Sequence, residues 1–108
     1  MDITIACELT KAVRVQTPCE ILYSTDTNNI IVNVFKNAAP ENISGTVTAY
    51  MILPDGSTIT ETGTISGNTA TVELPSEAYD IPGIVSVAVK LSSSGMITTI
   101  AAVALCVQ

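Results

Sequence analysis

Between Ile84 and Leu91 every second residue is a branched apolar one: Val85, Val87, Val89 and Leu91 on one face, Ser86, Ala88 and Lys90 on the other. That period of two belongs to a half-buried β-strand. It recurs along the chain, and no stretch carries a convincing helical period. Ile3, Ile5 and Cys7 alternate with Thr4, Ala6 and Glu8. Ile30, Val32 and Val34 repeat the pattern, as do Val47, Ala49, Met51 and Leu53, and again Ala70, Val72 and Leu74. Shorter strands are predicted over Glu20–Ser24 and Ser57–Thr62, the latter continuing past a bulge to Ser66, while Lys11–Gln16 either continues the first strand after a bend or forms a separate edge strand. The final strand is predicted over Met96–Val107.

Turn residues divide these runs. Pro54-Asp55-Gly56 combines a preset φ, a side chain that bonds the backbone ahead, and a residue free to take positive φ. Gly67-Asn68 is a second hairpin turn, and Ser92–Gly95 a third. Residues Asn37–Gly45 read as a loop. Pro75 closes the strand ending at Leu74 because it cannot donate to a ladder. Ser76 then stands where a short helical turn is capped, and Pro82-Gly83 punctuates the entry to the next strand. About eight or nine short strands with turns at this spacing predict an all-β fold, an immunoglobulin-like antiparallel β-sandwich. The antibody-type Cys–Trp–Cys pin is missing. The length suits a single domain spanning residues 1–108, burying roughly 60–70% of its unfolded surface. Trp is absent, so the core must be built from Val, Ile, Leu and Ala, with Phe35, Tyr23, Tyr50 and Tyr79 as its rings.

Charge narrows the partners. The net charge is −6, and Lys11, Arg14, Lys36 and Lys90 are the only cations. Such a chain repels phosphate backbones and anionic membranes, so no nucleic acid and no membrane are expected among its partners. Nothing in the N-terminal residues reads as a signal peptide. The longest apolar stretch, Ile100–Val107, is far short of the roughly 20 residues a membrane helix needs. Synthesis in a cytoplasm is expected. Three cysteines, Cys7, Cys19 and Cys106, match no metal or redox spacing. They read as small core residues, with a Cys7–Cys106 or Cys19–Cys106 disulfide as the other option.

There is no histidine, which removes the common triads and the commonest zinc ligand. Glu77 with Asp80 is the nearest carboxylate pair and reads as a solvated turn. Asp26, Asn28 and Asn29 offer oxygens to a calcium ion but read as a polar turn. Asn42-Ile43-Ser44 matches a glycosylation sequon with no secretion signal beside it. No enzyme, metal or cofactor is expected. The last strand is apolar on both faces. Its second face (Ile100, Ala102, Ala104) and the N-terminal arm up to Pro18, with Val13 and Val15, either meet the other sheet or form a partner interface.

Three stretches carry a resemblance: the Leu-Pro-Asp-Gly turn at Leu53–Gly56, the run ISGNTATVELPSEAYDIPGIVSVAVKL from Ile65 to Leu91, and MITTIAAVALCV from Met96 to Val107. Together they resemble the N-terminal domain of phage baseplate upper proteins, a domain also seen at the base of head fibres. In that family a β-sandwich of this length anchors to the virion and a fibre or receptor-binding region follows. Here the sequence stops at Gln108. The resemblance therefore implies a capsid decoration or head-fibre base protein on the outer capsid surface. Its expected partner is the major capsid protein or another virion protein, and its expected state a homotrimer. A tail or baseplate component and an immunoglobulin-like host-surface adhesion module are the alternatives.

Overall fold

The computed structural model describes residues 2–11 and 27–107, together with the backbone of residues 15–16 and 21–22. The alternating runs form strands that stack as two sheets. Sheet A orders β1 (Asp2–Glu8), β4 (Asn29–Lys36), β9 (Thr69–Glu73) and β8 (Thr64–Ser66), with β5 (Ala39–Pro40) also on β4. Sheet B orders β2 (Val15–Gln16), β11 (Met96–Val107), β10 (Gly83–Ser93), β6 (Thr46–Ile52) and β7 (Thr58–Thr62), with β3 (Ile21–Leu22) also on β11. The expected sandwich is present.

Most ladders are antiparallel, as expected, but those made by β1, β2 and β3 are not. β1 lies parallel to β4, with Asp2 opposite Asn29 and Glu8 opposite Phe35. β2 and β3 lie parallel to β11. The reason is topological. β1 and β4 are separated in sequence by β2 and β3, which pair with β11 in sheet B, and a parallel pair needs such a long crossover.

Each sheet turns its apolar phase inward. Sheet A supplies Ile3, Ile5, Ile30, Val32, Val34 and Val72; sheet B supplies Val47, Met51, Val85, Val87, Val89 and Leu105. Leu53, Leu74, Ala78 and Tyr79 pack against the same cluster. Asn28 is the one buried polar residue among the described residues, and its carbonyl accepts from the Leu74 N–H at 2.8 Å.

Two aromatic expectations are corrected. Tyr79 is buried, but Tyr50 is 44% exposed and Phe35 is only half-buried. Tyr50 falls in the phase opposite Ala49 and Met51, so the strand's own alternation turns it outward. Tyr23 lies outside the described residues.

Residues read as one loop, Asn37–Gly45, contain a tight hairpin. Lys36 pairs with Ala39, and Asn37 and Ala38 form the turn with φ of 52° and 63°. Two consecutive positive φ values mark a type I′ turn, usually built from Asn-Gly. Ser94 and Gly95, with φ of 52° and 79°, make the same kind of turn between β10 and β11. β10 therefore reaches Ser93, two residues beyond the strand end read from its alternation. The short helical turn is a 3-10 turn over Ser76–Tyr79. Its cap is Pro75, whose carbonyl accepts from Ala78 N–H at 2.9 Å, and Ser76 is its first residue.

Gly63 is the crossing point between layers. β7 belongs to sheet B and β8 to sheet A, with only this glycine between them. A Cβ here would lie 2.3 Å from the Thr71 carbonyl oxygen and 2.7 Å from a Val72 methyl. The stretch read as a strand continuing past a bulge is thus one run passing from one sheet to the other.

Candidate functional site

The outer face of sheet B is unlike the rest of the surface. Its residues are the partners, in alternation, of the core residues just named. One cross-strand row reads Thr60, Tyr50, Ala88, Ala102; the next reads Thr58, Ile52, Ser86, Ala104; a third pairs Ile84 with Cys106. Small side chains on the central strands and larger ones on β6 leave a groove of about 530 Å³. Ala88, Ala102 and Ala104 form its floor, and Tyr50, Ile52 and Lys90 help to line it. Ile52 is 54% exposed and Ile84 61%. The Lys90 ammonium stands 5.4 Å from the centroid of the Tyr50 ring, at cation–π distance.

The structure divides the expected interface residues. Ala102 and Ala104 lie on this outer face. Ile100 does not: it is 1% exposed and packs in the core. A register shift between Val89 and Lys90 explains the split. Val89 faces Ala101 and Lys90 faces Thr99, so Ile100 is the extra residue of a β-bulge. The bulge turns Ile100 and Ala101 inward together and reverses the phase of the strand before them. Val13 lies outside the described residues. Val15 is described by its backbone, which pairs with Ala102 at the edge of the same face.

Alternation alone could have found Tyr50 and Ile52, because both are out of phase with Ala49 and Met51. Nothing in the sequence signals that Ala88, Ala102 and Ala104 come together as one floor.

The other candidates are dispersed. Glu77 and Asp80 are exposed on and beside the 3-10 turn. Asn29 donates its amide to Asp2 at 3.0 Å, Asn28 is buried, and Asp26 lies outside the described residues. Among the described residues no group of three or more His, Cys, Asp or Glu is placed to hold a metal ion. Asn42 of the sequon is exposed. Cys7 is a buried free thiol, with its pKa raised by burial and then by the neighbouring Glu8 charge. Cys106 is free and exposed on the outer face, so it corrects the expectation of a core residue and forms no bridge to Cys7. Cys19 lies outside the described residues. Among the described residues no helix is long and apolar enough to cross a membrane.

Two carboxylates have structural work. Glu8, at the end of β1, accepts from the Thr10 hydroxyl at 2.7 Å and from the backbone N–H groups of Asn37 and Ala38 at 2.5 and 3.2 Å. The Thr10 hydroxyl, helped by those N–H groups and Lys11, holds its pKa below the usual carboxylate value. Asp55 accepts from the Ser57 hydroxyl at 2.6 Å and the Ser57 N–H at 3.0 Å, and its pKa is lowered by the same partners.

No known protein family's sequence profile matches the chain, and no curated protein matches it. Among solved structures, its fold is similar to the N-terminal domain of phage TP901-1 ORF48. The TM-score is 0.57 at 12% identity, over 99% of this chain and 98% of that one. A likeness at that identity is one of fold.

Proposed function

We propose that this chain is a structural domain of a bacteriophage particle, carrying out no reaction and holding its place by contact with other virion proteins. The observation that supports this most is the reach of the fold likeness: it runs over 99% of this chain and 98% of the N-terminal domain of a phage protein. The sequence resemblance described above points the same way. The groove on sheet B supports it as well, since an apolar, nearly uncharged face suits packing against protein better than it suits chemistry.

Within the particle, the proposed station is the outer capsid surface, as a decoration or head-fibre base protein. The proposed principal partner is the major capsid protein, and the proposed assembly a homotrimer made in the host cytoplasm. The tail baseplate is the second reading. It rests on the sequence resemblance to the N-terminal domain of phage baseplate upper proteins, and the fold likeness to a phage protein's N-terminal domain is compatible with either station.

Quantitative mass spectrometry of purified particles, with a cryo-EM reconstruction, tests both. Copy numbers comparable with the major capsid protein, and density on the head, support decoration. A few copies with density at the tail tip move the protein to the baseplate. Absence from purified particles overturns the structural role itself.

A further inference from the structure

Ten of the chain's residues are acidic, yet none stands among the outward-facing residues of β6, β7, β10 and β11. Lys90 is the one charge on those positions. It is half-buried and held over the Tyr50 ring at the edge of the groove. A face that is apolar, small-floored and singly positive, on a protein of net charge −6, specifies what it complements.

We infer that the outer face of sheet B docks a second virion protein, whose contact segment lays an apolar side chain on the Ala88–Ala102–Ala104 floor and sets a carboxylate against Lys90. The inference rests on the proposed structural role and names its partner's chemistry. Charge argues against the other occupants. A twofold pair of copies would bring two Lys90 ammonium groups to one interface with no carboxylate among the described residues of either face to meet them. A nucleic acid would find one cation among the described residues of the face where a phosphate backbone needs several. An anionic membrane would meet the field of the remaining acidic surface.

The probe is phage particles assembled without this chain, to which purified protein is added back and pelleted. Wild-type protein is expected to rebind saturably. Lys90→Glu and Ile52→Glu are expected to weaken rebinding at least about tenfold. Lys36→Glu, on an exposed residue of sheet A, makes the same change in net charge as Lys90→Glu and is expected to rebind like wild type. Circular dichroism and thermal melting show that each variant is folded; Ile52, being over half exposed, tolerates the change even if Lys90 does not.

If wild type rebinds and both sheet B variants rebind equally well, the docking face is wrong while the structural role stands. If Ile52→Glu changes the oligomeric state of the free protein, the face joins copies of this chain and the inference is overturned. If wild type fails to rebind at all, the structural role falls and the inference falls with it.

Discussion

Glu8 shows how one side chain stabilises a turn that its own residues do not favour. Ala38 carries a φ of 63°, a region that costs a residue with a Cβ about 1 kcal/mol or more. The turn persists because both of its N–H groups point at the Glu8 carboxylate. Ala38→Gly relieves the strain, and we expect it to raise the Tm by about 4 °C, measured by calorimetry. Because folding lowers the Glu8 pKa, its contribution is complete above the unfolded value of roughly 4.3 and fades as pH falls through the folded one. Glu8→Gln should therefore lower the Tm by a few degrees at neutral pH. Melting curves of the two proteins taken down to about pH 3 should converge as the wild-type carboxyl protonates. The turn could not be read from its own residues. Asn-Ala is a poor hairpin signal, and its stabilising acceptor lies 29 residues earlier. By contrast Pro54-Asp55-Gly56 was legible, because Asp55 and Gly56 satisfy their turn locally.

At the level of strands, phase was legible wherever polar residues alternate with apolar ones. Val85, Val87 and Val89 fell inward as read, as did Val47, Ala49 and Met51. Phase was lost in β11, where Ile100 to Val107 is apolar on both sides and nothing marks the bulge. Ile100→Asp places a charge in the core, and we expect loss of the folded state by circular dichroism rather than a selective loss of docking. Ala104→Asp, on the outer face, should keep the fold. The Gly63 crossing was visible as an irregularity but not as a change of sheet, since the contact that demands glycine comes from β9. Gly63→Ala forces that backbone apart and should cost about 1–3 kcal/mol in denaturant unfolding. Parallel pairing of β1 with β4 was not legible either: alternation fixes which side of a strand is buried, not which neighbour it meets.

For the molecule as a whole, two layers around an aliphatic core followed from the pattern of the sequence, whereas the outer groove emerged only once four strands were set side by side. The two described thiols report on that architecture. In a Cys19→Ser background, Cys106 should be modified by a thiol reagent at the rate of an exposed cysteine. Cys7 should react only through opening of the sandwich, orders of magnitude more slowly. The parallel contacts of β2 and β3 with β11 have a mechanical meaning. Tension pulling the residues before β2 away from those after β11 runs along these strands in opposite senses, so their hydrogen bonds are sheared together rather than unzipped singly. Parallel pairing of β2 and β3 with the last strand thus makes a clasp that resists a pull between the two ends of the chain better than a peeling contact of the same size would.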